Sequence, residues 1–212
     1  MKRLFMVVML GGAVALLSGC ATMSEDQCLA GDWGGKGYQD GLNGYQGSRL
    51  DDHAKACGKV GVSPNPDAYF SAREQGLRTY CRWENGFKVG RSGSSYGGVC
   101  SPDEEHDFLT AYEDGLVIHA AESALSNAES NVRSAAARIR DRESKLEAKE
   151  RELRQDGLSR EERERIRVRI REVRGELNDA HRDYRFAEVE LRDITFEMRS
   201  VIRSVGIRYG VR

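Results

Sequence analysis

Between Ile166 and Val205, apolar residues recur at Ile166, Ile170, Val173, Leu177, Ala180, Tyr184, Ala187, Leu191, Ile194, Met198, Val201 and Val205, in steps that alternate four and three without a break. A helix with that spacing carries one continuous apolar seam, while Arg, Glu and Asp fill the other positions, and such a seam must be covered by another helix. The stretch reads as a coiled-coil arm, and the fold class follows as mainly α.

A second seam precedes the first. Leu125, Val132, Ile139, Leu146 and Leu153 are spaced seven apart, Ala121, Ala128 and Ala135 supply the alternate positions, and Arg142 and Lys149 interrupt the row. Ser101-Pro102-Asp103-Glu104 predicts its start: Ser101 caps, Pro102 suits the first helical position, and Glu104 reaches back to complete a capping box. The helix is expected from Pro102 to about Gln155. Gly157 then suits a left-handed cap, and Ser159 with Glu162 forms a capping box that opens the next helix. So short a turn predicts an antiparallel hairpin reaching roughly 50 Å. Two registers are open: Leu125 against Ala187, with Val132 on Ala180 and Ala128 on Tyr184, or Leu125 against Ile194. Intermolecular pairing also stays open, because Arg142 and Lys149 make the first helix an imperfect partner.

The N-terminus bears on compartment. Lys2 and Arg3 precede an apolar run from Leu4 to Leu17, followed by Ser18-Gly19-Cys20, which is the order of a secretory signal over residues 1–19. The run is too short for a comfortable membrane span. Leu17-Ser18-Gly19-Cys20 resembles the lipobox of bacterial lipoproteins, in which the cysteine is acylated and becomes the new N-terminus. Cys20 is therefore expected to be a lipid anchor, each buried methylene contributing about 0.8 kcal/mol. Ala21, where lipoproteins retained in the inner membrane usually carry Asp, favours the periplasmic face of the outer membrane.

Cys28, Cys57, Cys81 and Cys100 remain, an even number in an exported chain, and read as two disulfides. Three pairings are open; Cys28 with Cys57 and Cys81 with Cys100 closes the shorter loops. Lys and Arg number 33 against 34 Asp and Glu, so no basic excess argues for nucleic acid. Composition divides the mature chain into a Gly- and Cys-rich, disulfide-stapled module over 20–100, a first long helix over 101–156 and a second, coiled-coil helix over 159–206. Within the module, Asn65-Pro66 predicts the start of a helix toward Tyr80, Leu50–Cys57 reads as another ended by Gly58 and Gly61, and Gly93–Gly98 is turn.

A short unit recurs in this part of the chain. Gly37 and Gly41, Ala72 and Gly76, Gly86 and Gly90, and Ala111 and Gly115 each place two small residues four apart. On helices such pairs share one face and let backbones approach. The alternative, glycines cradling an anion, needs a strand before the loop, and no strong strand signal is present.

Catalytic patterns are sparse. His53, His106, His119 and His181 fall on separate predicted helices, no His-x-x-x-His or Cys-x-x-Cys spacing gathers metal ligands, and no Gly-x-Ser-x-Gly elbow occurs. No enzyme activity, metal or cofactor is expected. Trp33, Tyr38, Tyr45, Tyr69, Tyr80, Trp83 and Tyr96 crowd the Gly-rich region and read chiefly as the core of a small domain. The alternative is a ligand face, for which Trp33, Tyr38, Trp83 and Tyr96 are the candidates.

A family resemblance rests on Cys28, Asp32-Trp33, Gly37-Tyr38-x-Asp40-Gly41, His53 with Ala56-Cys57, Pro66-Asp67-x-Tyr69 and Gly76-Leu77 with Tyr80-Cys81. It continues through Gly86-Phe87-x-x-Gly90, Tyr96-x-Gly98-Val99-Cys100 and Phe108 to Gly115. Over about residues 24 to 180 the chain resembles the bacterial lipoprotein family known as domain of unknown function 2799, with Ala72 standing where the pattern usually has Gly. The resemblance implies a lipobox, a cysteine and glycine module and a charged helical tail, and brings no activity. The expected function is a non-catalytic interaction or scaffold module anchored to the membrane by its lipid, docking an envelope protein or self-associating through the coiled coil. A module binding peptidoglycan or another envelope glycan is the alternative.

Overall fold

The computed structural model describes residues 22–211, which fold into seven α-helices and a terminal 3₁₀ turn, with no strand among them. The expected signal at 1–19 and the lipidation site Cys20 lie outside the described residues. The helices are α1 (Glu25–Ala30), α2 (Trp33–Leu42), α3 (Arg49–Gly58), α4 (Pro66–Tyr80), α5 (Trp83–Arg91), α6 (Pro102–Leu153) and α7 (Arg160–Ser204), and the turn spans Gly206–Tyr209. Two compact units result, the first ending at Arg78 and the second beginning at Thr79. Both disulfides form between neighbours in sequence, Cys28 with Cys57 in the first unit and Cys81 with Cys100 in the second. The composition shift near Ser101 thus does not mark the contact boundary: the second disulfide belongs to the unit that holds the hairpin. Among the described residues no helix is long and apolar enough to cross a membrane.

In the first unit local sequence sets the helix starts. Ser24 and Gln27 form a capping box at α1, and Asp32 caps α2 by accepting from the Gly35 N–H at 2.7 Å. Asn65 accepts from the Ala68 N–H at 3.1 Å, with Pro66 in the first turn, as its spacing predicts. Met23, Cys28, Trp33, Leu50, Cys57 and Tyr69 make the core.

The four small-residue units pair off, two in each half of the molecule. In the first unit Gly37 faces the Tyr69 carbonyl, Gly41 faces Arg73 and Gly76, and Gly76 in turn faces the backbone of Tyr38 and Leu42, so α2 and α4 cross backbone to backbone. In the second, Gly86 faces the Phe108 carbonyl, Gly90 faces Tyr112, and Gly115 faces Phe87 and Arg91, giving α5 and α6 the same crossing. A Cβ at any of these six positions would overlap backbone of the opposing helix, which cannot swing aside as a side chain can. Each disulfide loop encloses the helix that carries the Gly-x-x-x-Gly pair, and the helix that receives it follows the second cysteine. The chain therefore builds one supersecondary arrangement twice.

The second unit extends the crossing into a hairpin. The α7 seam is covered: Ile166, Ile170, Val173, Ala180 and Ala187 are buried, facing an α6 side in which Ala128 and Ala135 are buried. Side-chain geometry selects the second of the two registers. Arg142 Nε lies 3.0 Å from Glu176 Oε2. Pairing Leu125 with Ile194 sets Arg142 opposite Leu177, beside Glu176, whereas pairing Leu125 with Ala187 sets it opposite Ile170, nearly two turns away. Ile118 agrees, because it lies against Gly206, close to the Val201 it faces in the second register and far from the Ile194 it would face in the first.

The turn between the helices is built as its residues predict, with Gly157 left-handed at φ 81° and Ser159 and Glu162 in a capping box. The start of α6 differs from expectation. Ser101 occupies the cap position and Pro102 the first turn, but the Ser101 hydroxyl donates to the Glu104 carboxylate at 3.0 Å instead of accepting a backbone N–H. There the hydroxyl of the exposed Ser101 is taken up by the half-buried Glu104 side chain three residues on. Helix α6 also ends at Leu153, two residues short of Gln155, where the chain tightens into the turn.

Candidate functional site

The first unit buries a carboxylate, an imidazole and a phenol against one another. Asp40 on α2, His53 on α3 and Tyr69 on α4 have 2 %, 0 % and 0 % of their surface exposed. Asp40 follows from the glycine crossing: it sits between Gly37 and Gly41 on the face that α2 turns to Tyr69. His53 stands one turn before Cys57, so the disulfide to Cys28 fixes the stretch of α3 that carries it.

Asp40 Oδ2 lies 2.6 Å from His53 Nε2 and accepts the Tyr69 hydroxyl at 2.7 Å. Two cations approach the other oxygen, Lys36 Nζ at 3.6 Å and Arg49 Nε at 3.8 Å. A carboxylate taken out of water costs several kcal/mol unless it is hydrogen-bonded and paired, and these four groups supply that compensation. Arg49 Nε is itself buried without a hydrogen bond, while its guanidinium lies 3.9 Å over the Tyr45 ring. Burial, with the Asp40 carboxylate next to the hydroxyl, pushes the Tyr69 phenol far above its ordinary value. Tyr69 therefore stays neutral and donates.

The other face of His53 reaches the chain's beginning. Nδ1 lies 2.7 Å from the Thr22 hydroxyl, so Thr22, His53 and Asp40 form a hydroxyl–imidazole–carboxylate row. When Nε2–H donates to Asp40, Nδ1 accepts from Thr22. The order resembles a nucleophile, base and orienting acid, but the imidazole is fully buried and the row runs from the half-buried Thr22 inward. What the arrangement does physically is pin Thr22, while Met23 beside it inserts into the core. Met23 and Lys36 also edge an open cleft of about 420 Å³ with Gln27, Asp32 and Gln39. Residue types alone carry no signal for this cluster, because Asp40, His53 and Tyr69 stand on three successive helices and meet only once those helices pack.

The candidate aromatics fall in different places. Trp33 is buried in the first core, and Tyr38, on the same helix, is exposed. In the second unit Trp83 is half exposed, with its ring 5.9 Å from Tyr209. Tyr96 packs 4.8 Å from Phe108, donates its hydroxyl to Glu105 and accepts the Cys100 N–H, both at 2.9 Å, and so holds the loop before α6. The C-terminal turn supplies a residue with no sequence signal. The Tyr209 ring stacks on Phe87 at 4.0 Å and its hydroxyl donates to Asp114 at 2.8 Å. Burial and that carboxylate push the Tyr209 phenol up to about 12. Of the other histidines, His119 Nδ1 lies 3.0 Å from the Arg91 carbonyl at the end of α5.

Residues 32–117 match the model of a family described as Protein of unknown function (DUF2799). The matched stretch opens at the cap of α2, takes in both glycine crossings and the Asp40–His53–Tyr69 cluster, and closes directly after the last crossing contact on α6. No curated protein and no solved structure matches the chain.

Proposed function

We propose that the chain is a non-catalytic scaffold or interaction module of the bacterial cell envelope, anchored by lipid at Cys20 to the outer membrane and facing the periplasm. The charged, apolar and small-residue order from Lys2 to Cys20 supports the anchor, and two disulfides suit an oxidising compartment. One observation carries the reading: Thr22, two residues beyond Cys20, is tied to the buried His53. Two residues span at most about 7 Å, so an acylated Cys20 would hold the first unit directly at the headgroups. The hairpin, about 65 Å long by the rise of α7, is then the arm available for docking.

Labelled palmitate and membrane fractionation test the reading. The native chain should take up label and sediment with outer membranes, and Cys20→Ser should do neither; equal retention of both would overturn it. The non-catalytic part falls if the purified soluble form turns over an envelope substrate at a rate that one point substitution abolishes.

The half-exposed Trp83 beside Tyr209 favours a second reading, a module for peptidoglycan or another envelope glycan, since an indole and a phenol side by side suit a sugar face. Retention on purified cell wall that Trp83→Ala abolishes, with helicity unchanged, would establish it.

A further inference from the structure

The seam of α7 is spent on α6, yet α7 carries a second apolar row on its opposite side. Phe186 and Phe196 are 67 % and 68 % exposed, and Val189 between them is 44 % exposed. Rings of that size left in water on one stripe of a helix mark an interaction surface. The three stand at seven-residue repeat positions together with Asp193, on the face turned away from the buried Ala180 and Ala187.

The two edges of this stripe are segregated by charge. Arg185, Arg192 and Arg199 run along one edge, and Asp183, Glu190 and Glu197 along the other. Toward the hairpin's tip the charges of α7 are consumed in pairs, Arg169 with Glu172 and Glu176, and Arg174 with Glu150. Beside the stripe Arg185, Arg199, Asp183, Glu190 and Glu197 form no ion pair among the described residues. Apart from Arg192, which pairs with Asp193, the edges are a set of unpaired charges flanking an uncovered apolar row.

We infer that this face of α7 pairs in parallel with the same face of a second copy of the chain. Helix geometry decides the orientation. In an antiparallel pair each edge meets its own kind, which here sets arginine on arginine and acid on acid. In a parallel pair each edge meets the opposite one, and the contact runs from a residue to the one five further along in the partner. That rule places Arg185 on Glu190 and Arg192 on Glu197 across the interface, with Phe186, Val189 and Phe196 meeting their own copies at the centre. Asp193 would meet its copy in the same row; Arg192 lies 3.5 Å from it and offsets its charge, and a single polar residue in such a row fixes register at a cost in stability. The twofold axis runs along the helices and leaves both copies facing the same way, as two chains tethered in one leaflet require. The pairing names a partner for the scaffold reading but does not depend on the anchor, and its test needs no membrane.

A photo-crosslinking residue at Val189 of the full chain, purified in detergent, reads the contact directly. The expected product is a homodimer whose linked peptides both contain the 183–199 stretch in parallel alignment. Arg185→Glu should cut the crosslinked fraction several-fold and Arg185→Glu with Glu190→Arg should restore it, because the double exchange rebuilds the pairs across the interface. Phe186→Glu with Phe196→Glu should lower it at least tenfold, with the helical circular dichroism unchanged since both rings are exposed. No homodimer product, linked peptides in antiparallel alignment, or an Arg185→Glu chain that crosslinks more strongly, as antiparallel edges would, overturns the inference.

Discussion

His53 Nε2 and Asp40 Oδ2 stand 2.6 Å apart with neither side chain in reach of solvent. Removing one partner of a buried charged contact costs more than the contact itself contributes, because the other is left unsatisfied. Asp40→Ala should destabilise the first unit by about 3–5 kcal/mol, orphaning His53 and the Tyr69 hydroxyl together. The check is urea unfolding followed by Trp33 fluorescence in a Trp83→Phe background, so that only the first unit reports. An Asp40→Ala midpoint equal to that of the parent would show that the cluster carries no stability.

The glycine crossings make a contrasting set. Gly41→Ala and Gly90→Ala should each cost about 1–3 kcal/mol or more, since the new methyl meets backbone of the opposing helix. Gly175→Ala, in the interior of α7 with open space where its Cβ would stand, should instead gain about 0.5–1 kcal/mol from helix propensity alone. Thermal melts of the three variants decide it; equal effects at all three sites would mean that close approach is not what the crossing glycines serve.

Reduction should act on each half separately. The cysteine separations of 29 and 19 residues put the chain-entropy contribution of each disulfide at about 3–4 kcal/mol. Cys28→Ser with Cys57→Ser should lower the unfolding midpoint reported by Trp33 and leave that reported by Trp83 in place, and Cys81→Ser with Cys100→Ser should do the reverse.

Alkali should loosen the second unit through its C-terminal turn. Tyr209 is raised to about 12 from an ordinary value near 10, chiefly by burial and then by its hydrogen bond to Asp114. The folded state thus favours the neutral phenol: the contribution is fully present below about pH 10 and is lost as pH climbs from there toward 12. Unfolding measured at pH 9 and pH 11.5 should show a fall that Tyr209→Phe reduces, and absorbance of tyrosinate should lag behind that of free tyrosine.

Long-range order in the hairpin was legible because it repeats: the seam through Ile166, Val173 and Ala180 is a statement about one helix, and the Gly157 turn is local chemistry. Register was not, since Leu125 matches Ala187 and Ile194 equally well by pattern, and it takes the reach of Arg142 to Glu176 and the contact of Ile118 with Gly206 to separate them. The bounds of α2 and α5 do not follow from the sequence, because glycines at 37, 41, 86 and 90 depress helix propensity, and tertiary contact overrides it. The same units did show in the sequence as small residues four apart; which pairs with which depends on the fold. Asp40, His53 and Tyr69 were visible as letters in a family pattern, while their meeting is a product of three helices. Tyr209 gave no sign at all, because its partners Phe87 and Asp114 lie a hundred residues or so away in the chain.

Each disulfide loop has a mechanical meaning once the chain is pulled. Under tension the residues between Cys28 and Cys57, and between Cys81 and Cys100, add no length while the bonds hold, even after their helices melt. Separations of 29 and 19 residues remove roughly 150–160 Å from the extensible contour at 3.3–3.6 Å per residue. The glycine-bearing helices lie inside the shielded loops and their receiving helices outside, so a stretched chain would shed its α4 and α6 partners first and keep α2 and α5 leashed at hand for re-engagement. An oxidising compartment would thereby make this protein a short-travel spring, and a reducing one a long, slack cord.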